Sequence, residues 1–121
     1  MNTDSTPQLS HEKLEVYQKA LVFVKQSTEI SSKLPRGNAE LVEQQKRAAL
    51  SILLNIAEAC GRTGSLDNAK HFTIARGSAL ESGAIIDACH ALSYIDGAKH
   101  LEVKRLIVSI VAMLSKLCIK K

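Results

Sequence analysis

The sequence contains no tryptophan and only two tyrosines and two phenylalanines in 121 residues. Any core it forms must therefore be built mainly from aliphatic side chains. No apolar run approaches the roughly 18 residues that a membrane-spanning helix needs, and residues 1–8 lack the apolar stretch of a secretion signal. We therefore expect no membrane segment and a cytoplasmic location.

Cysteine is scarce as well, and the number is odd. Cys60, Cys89 and Cys118 are far apart in the sequence, and each lies in an apolar helical pattern. Such spacing does not indicate a disulfide framework. We expect all three to pack as small hydrophobic residues.

The sequence also lacks the motifs of common enzyme and metal sites. It has no Walker-type phosphate loop, no paired Cys-x-x-Cys, no His-Glu-x-x-His and no nucleophile elbow. The four histidines are scattered, without the spacing of three or four residues that places two ligands on one helix. The backbone amides of Gly61 to Ser65 offer an anion-binding site at the start of a helix. Glycine-containing segments of this kind are, however, more often simple connectors between helices than anion sites. We expect no enzyme activity, no cofactor and no metal.

What the sequence does contain is four stretches of helical periodicity. Residues 1–9 have none and predict a disordered tail, which leaves residues 10–121 as one domain. The predicted helices start at Ser10, Asn38, Ser65 and Asp96 as N-caps. They end near Lys33, Cys60, Leu92 and Cys118.

Short connectors between the four helices predict an all-α, antiparallel, up-down-up-down four-helix bundle. Gly77 and Gly83 inside the third helix each cost roughly 1 kcal/mol relative to alanine, which predicts close helix packing or a compensating polar contact at both positions. The second and fourth helices have apolar faces wider than one core requires. Self-association as a homo-oligomer is the simplest way to bury the remainder.

A row of polar residues runs along the otherwise apolar second helix at spacings of three and four. Its members are Gln44, Arg47, Ser51, Asn55, Glu58 and Arg62. If the row faces the third helix, its partners there are Ser78 and Glu81. The predicted structural polar cluster is Asn55, Glu58, Arg62, Ser78 and Glu81. Catalysis by Glu58 is the alternative, but no second activating group accompanies it.

The net charge of +4 is concentrated at the end of the chain. Residues 1–98 hold ten Lys or Arg against eleven Asp or Glu, whereas residues 99–121 hold six against one. This asymmetry indicates an anionic partner, RNA or DNA, although complementing a helix dipole and maintaining solubility explain the same charges. The candidate nucleic-acid-binding residues are Lys46, Arg47, Arg62, Lys99, Lys104, Arg105, Lys116, Lys120 and Lys121.

The second predicted helix also carries a family signature. Its run Arg47-Ala-Ala-Leu-Ser-Ile-Leu-Leu-Asn-Ile-Ala-Glu-Ala-Cys-Gly-Arg62 resembles the sequence Arg-Ala-Ala-x-Ser-Ile-Pro-x-Asn-Ile-Ala-Glu-Gly-x-Gly-Arg of the proteins encoded in 23S ribosomal RNA intervening sequences. Leu14 to Ala20, Leu34-Pro35 and Ala75 to Glu81 resemble further elements of that family. Leu53 and Ala59 depart from it, standing where the family commonly has Pro and Gly.

The resemblance implies a four-helix bundle that assembles into a ring, commonly a pentamer, with no established catalytic activity. The family is distantly related to accessory variability proteins of retroelements, which are basic bundles that engage nucleic acid, and this implies a nucleic-acid role.

Two functional hypotheses follow. The first is a non-enzymatic oligomer that binds RNA or DNA non-specifically through its basic C-terminal helix. With so few aromatic residues for base stacking, phosphate contacts would dominate that binding. The second is an oligomeric scaffold or adaptor for a protein partner.

Overall fold

The computed structural model describes residues 7–118, which form one short 3₁₀-helix and four α-helices without any strand. The 3₁₀-helix spans Ser10–Lys13. The α-helices are α1 (Glu15–Ser32), α2 (Ala39–Cys60), α3 (Ser65–Ala91) and α4 (Gly97–Cys118). The all-helical class with four long helices is therefore confirmed. Within the described range, no helix has the length and apolarity needed to cross a membrane.

The first helix begins differently from the prediction. Leu14 adopts an extended backbone conformation and separates the 3₁₀-turn from α1, so Ser10 does not cap α1. The turn is held by the backbone N–H of Leu9, which donates to the carboxylate of Glu12 at 3.1 Å. Most of the predicted tail, residues 1–6, lies outside the described part of the chain.

The predicted caps of the other three helices have three different outcomes. Asn38 occupies the N-cap position of α2, but its amide donates to Pro35 O at 2.9 Å instead of capping the helix, and its Oδ1 accepts from Tyr94 Oη at 3.3 Å. The cap of α3 is Gly64, and Ser65 is the first residue of that helix. Asp96 caps α4 as predicted, because its Oδ1 accepts from the backbone N–H of Lys99 at 2.8 Å.

The third helix ends in a Schellman arrangement. The N–H of Tyr94 donates to Cys89 O at 2.8 Å and that of Ser93 to His90 O at 2.9 Å. Ser93 has a φ of +64°, in the left-handed region that such endings require. The left-handed residue Ser93 therefore terminates α3 ahead of the connector to α4.

The four helices pack in cyclic order. Each contacts the next along the chain and α4 returns to α1, whereas the described backbones of α1 and α3, and of α2 and α4, make no close contact. The core between them is mostly aliphatic, as predicted, with Phe23 and Phe72 as its aromatic members. Its largest fully buried apolar side chains are Phe23, Ile52, Ile56, Ile86, Ile110 and Leu114.

The two glycines inside α3 differ in their surroundings. Gly83 is buried, and a Cβ there would meet the side chain of Ile107 at 3.7 Å, so α3 and α4 approach closely at this point. Gly77 is exposed and has open space around it. The prediction of close packing is therefore right at Gly83 and wrong at Gly77 within the subunit.

Candidate functional site

A half-buried network of polar side chains joins α2 to α3. Ser78 Oγ donates to Ser51 Oγ at 2.7 Å, and Asn55 Nδ2 donates to the carbonyl and hydroxyl oxygens of Ser51 at 2.9 and 3.2 Å. Asn55 Oδ1 lies 3.1 Å from His71 Nδ1. An amide oxygen only accepts, so this contact places the proton on Nδ1 of His71. The network gives the polar atoms of both helices partners where water is partly excluded.

This network is smaller than the predicted cluster. It contains Asn55 and Ser78, joined through Ser51, but leaves out Glu58, Arg62 and Glu81. Glu58 pairs with Arg62 at 2.5 Å, with 49% and 43% of their side chains exposed. Glu81 is exposed and makes no side-chain hydrogen bond within residues 7–118. Hydrated charges need no partner from the other helix, which is why the carboxylates stay outside the network.

We expect Asn55→Ala to lower the free energy of unfolding by about 1–2 kcal/mol, because it leaves His71 and Ser51 without their shared partner. Glu58→Ala on the same helix is the matched control. It removes an exposed ion pair and should cost less than about 0.5 kcal/mol. Urea unfolding measures both values, and equal costs would contradict a structural role for the network.

A second group of polar side chains joins α3 to α4. Asp87 Oδ1 accepts from Lys104 Nζ at 2.7 Å and from His100 Nε2 at 2.8 Å. The ring of His90 stacks on that of His100, with centroids 4.1 Å apart. The hydrogen bonds from Lys104 and His100 hold the pKa of the Asp87 carboxyl below its usual value. Sequence spacing did not indicate this group, since its members come from two helices.

A pH dependence follows from this carboxylate. Because folding lowers the pKa of Asp87, its contribution to stability is present above the unfolded value of about 3.9 and is lost as pH falls through the folded pKa. We expect Asp87→Asn to destabilise the protein at pH 7 by no more than about 1 kcal/mol, because the side chain is half exposed. Thermal unfolding from pH 7 to 2.5 should show the two proteins converging below about pH 4. A constant difference across that range would contradict the assignment.

The structure pairs several of the candidate nucleic-acid-binding cations with acids. Lys104 contacts Asp87, Arg62 contacts Glu58, and Lys99 lies 3.1 Å from Glu102. These cations are partly neutralised within the subunit. Each would have to leave its carboxylate partner in order to bind a phosphate.

Four other candidates make no ion pair with the part of the chain that the structure describes: Lys46, Arg47, Arg105 and Lys116. All four are exposed. Arg105 and Lys116 are eleven residues apart on α4, about three helical turns, so they share one face of that helix. The predicted contributions of Lys120 and Lys121 lie outside the described residues.

The unpaired cations of α2 and α4 do not form one patch. Since α2 and α4 are diagonal in the cyclic packing, Lys46 and Arg47 lie on the other side of the bundle from Arg105 and Lys116. The unpaired candidate cations of one subunit therefore form two separate groups. Only repetition in an assembly would bring more than two such cations along one anionic chain.

The cysteines offer no activated thiol. Burial raises the pKa of the Cys60 and Cys89 thiols, which keeps them protonated at neutral pH. All three cysteines lie in the described range, and none forms a disulfide there. Residues 7–118 contain no group of three or more His, Cys, Asp or Glu side chains placed to hold a metal ion.

Four packed helices, joined by polar contacts and lacking an assembled catalytic group within the described residues, define a helical-bundle protein. The family model described as "23S rRNA-intervening sequence protein" matches residues 12–116, and the chain therefore belongs to that family. This confirms the resemblance found in the second predicted helix. Unlike the family pattern with Pro and Gly, α2 runs without interruption through Leu53 and Ala59.

A solved structure shares this fold. It is a protein with unknown function from the S23 ribosomal protein family of Bacteroides thetaiotaomicron VPI-5482, with a TM-score of 0.79 and 21% sequence identity. The match covers 87% of this chain and 99% of that one. No curated protein matches the chain.

Proposed function

We propose that the chain is a non-enzymatic, self-associating four-helix bundle that binds RNA or DNA without sequence specificity. The observation that carries the proposal is the exposed face of α4, where Arg105 and Lys116 lack acidic partners among residues 7–118. Exposed cations that are not neutralised by neighbouring carboxylates gain most from phosphate contacts, because binding releases counterions.

We also propose the antiparallel up-down-up-down arrangement for the bundle. Along α2 and α3, Ser51 contacts Ser78 and Asn55 contacts His71, so residue numbers rise on one helix as they fall on the other. Along α3 and α4, Arg76 Nε donates to Ser115 Oγ at 2.7 Å, while Asp87 contacts His100. Both pairs of helices support opposite chain directions.

Self-association is supported by apolar side chains that the subunit leaves in water. Leu80, Leu101 and Val108 are 50%, 51% and 61% exposed, and all three lie on α3 or α4. Aliphatic residues clustered on one surface mark an interaction site more often than scattered ones do. A ring of five copies, as the resemblance implies, would repeat the α4 cations around its circumference. Its overall affinity for a nucleic acid would then exceed that of a single subunit.

The non-enzymatic part of the proposal rests on Glu58. Its carboxylate is half exposed and bound to Arg62, and the described residues place no nucleophile or second acid beside it. A general acid or base needs a partner that tunes it and a substrate position next to it. A cytoplasmic location is proposed with it, supported by three cysteines that remain unbridged in the described fold.

Fluorescence anisotropy with labelled single-stranded RNA and duplex DNA tests the binding directly. We expect both to bind at low salt and the affinity to fall steeply as salt is raised, since the contacts are to phosphates. A lack of binding at low salt, or binding that is indifferent to salt, would overturn the proposal.

A second candidate function is a scaffold or adaptor for a protein partner. It is favoured by Leu54, which is 60% exposed on α2 close to the Glu58–Arg62 pair, an apolar surface with charges at its edge. Pull-down from nuclease-treated native cytoplasm separates the two functions. A protein that stays bound after nuclease treatment favours the scaffold, whereas loss of all partners favours nucleic-acid binding.

A further inference from the structure

An open groove with a volume of about 400 Å³ lies between α1 and α2. This volume is within the range of small-molecule sites in proteins, about 300–1,000 Å³. The aliphatic part of its lining is formed by Val24, Val42, Ala49 and Leu50. Apolar surface that is in contact with water at a concave site favours the binding of an apolar group.

Of the described residues that line this groove, Lys46 alone is charged. It is exposed and makes no ion pair with the part of the chain that the structure describes. A groove of similar volume between α3 and α4 differs in this respect, because Asp87 and Lys104 both line it and form an ion pair at 2.7 Å. The α1–α2 groove therefore has an uncompensated positive charge, which favours an anionic ligand.

Hydroxyl groups line the α1 side of the groove. They belong to Ser27, Thr28, Ser31 and Ser32. Thr28 and Ser32 donate to carbonyl oxygens within α1, at 2.9 and 2.8 Å, whereas Ser31 makes no side-chain hydrogen bond in the described part of the chain. Ser31 Oγ can therefore donate a hydrogen bond to an anion held by Lys46.

The polar and apolar parts of the groove lie at different positions along the helices. Gln45 Nε2 donates to Ser27 O at 3.2 Å, so Lys46, the next residue, lies near the level of Ser27. The short connector between α1 and α2 lies at one end of the groove, which places Val24 and Leu50 toward the other end. An anionic group at Lys46 with an aliphatic chain toward Val24 and Leu50 would match both parts.

We propose that the α1–α2 groove binds a small aliphatic carboxylate, with the carboxylate at Lys46 and the chain against Val24 and Leu50. The lining residues of α1 extend from Val24 to Ser32, about 12 Å along the helix axis, which is about the length of a chain of about eight carbons. The proposal rests neither on self-association nor on nucleic-acid binding.

Titration of the isotopically labelled protein with octanoate, followed by two-dimensional NMR, tests the proposal. We expect saturable shifts at the backbone amides of Ser31 and Ala49, with a dissociation constant of about 1 mM or lower. The neutral 1-octanol has the chain without the charge, and acetate has the charge without the chain. Each should bind at least about tenfold more weakly than octanoate. A lack of saturable shifts in the α1–α2 groove, or equal binding of acetate, would overturn the proposal.

Lys46→Met removes the charge from the groove and keeps an aliphatic side chain. It should raise the dissociation constant for octanoate at least about tenfold, because a charge-assisted hydrogen bond is lost. Arg47→Met is the matched control, since Arg47 is also exposed and without an ion pair in the described fold but does not line the groove. It should change the dissociation constant less than about twofold. Equal weakening by the two substitutions would show that net charge attracts octanoate, and this would contradict a site at the groove.

Thr28→Phe tests the site by filling the groove. Thr28 and Thr73 are both exposed, and each hydroxyl donates to the carbonyl oxygen four residues earlier in its helix. Only Thr28 lines the groove, so Thr73→Phe is the control. We expect Thr28→Phe to abolish octanoate binding and Thr73→Phe to leave it unchanged, with circular dichroism showing that both variants are folded. Full octanoate binding by a folded Thr28→Phe would overturn the proposal. If this variant does not fold, the comparison of Lys46→Met with Arg47→Met decides.

Discussion

Reversing the charges of Arg105 and Lys116 together, by Arg105→Glu and Lys116→Glu, is expected to weaken RNA binding about a hundredfold at about 50 mM salt. Both side chains are exposed on one face of α4, and neither has an acidic partner in the described fold. Each reversal removes an interaction with phosphate and adds repulsion, and the effect is repeated on every copy in an assembly. Anisotropy titrations of wild type and variant measure the weakening.

The control for this prediction is a double reversal with the same change in net charge at another place. Lys33→Glu and Arg36→Glu alter exposed residues at the end of α1 and in the connector to α2. We expect this variant to bind less than about tenfold more weakly, because only the long-range attraction changes. The α4 variant should also show a shallower dependence of affinity on salt, by about 0.7 in the slope for each phosphate of single-stranded RNA that the protein no longer neutralises. Equal weakening in the two variants would show that net charge alone governs binding.

Phe23→Ala is expected to produce the largest decrease in stability, about 3–5 kcal/mol. Phe23 is fully buried in the core, where it is one of only two buried phenylalanines. The substitution removes favourable burial and leaves a cavity that close-packed aliphatic neighbours fill incompletely. Since domains of this size are stabilised by only about 5–15 kcal/mol in total, the variant should unfold at far lower urea concentration.

Val22→Ala provides the comparison for Phe23→Ala. Val22 is the preceding residue of α1 and is 49% exposed, so truncation there creates no closed cavity. We expect a change below about 0.5 kcal/mol in the free energy of unfolding. Similar effects at the two positions would contradict the packing of α1 against the core.

The sequence predicted the helices and the composition of the core because both depend on local periodicity. Side chains three and four residues apart share a helix face, and the buried positions Ile52, Ile56 and Ala59 of α2 follow that rule. The ion pair between Glu58 and Arg62 was predictable for the same reason, since its partners are four residues apart on one helix.

The caps and the polar network were less predictable because they depend on contacts between distant residues. Asn38 is a residue type that often caps helices. Its side-chain amide instead forms hydrogen bonds with Pro35 and with Tyr94, which is 56 residues away. The contact between Asn55 and His71 depends on the rotation and axial position of α2 against α3. Periodicity places a residue on a face without specifying which atom it meets there.

The basic surface was only partly predictable, because its ion pairs also depend on contacts between distant residues. Residue counts place the positive charge near the end of the chain, and four of the candidate nucleic-acid-binding cations, two on α2 and two on α4, make no ion pair in the described fold. Pairing of Lys104 with Asp87 spans 17 residues and two helices. Only the fold shows that Arg105 and Lys116 carry the accessible charge of α4.

The central claim is that the chain acts as an assembly of identical bundles, and the mass in solution tests it most directly. Size-exclusion chromatography with light scattering, over a range of protein concentrations, determines that mass without a label or a ligand. The account predicts one species of several times the 13.1 kDa chain mass. A mass of 13.1 kDa at every concentration of the wild-type protein would contradict it.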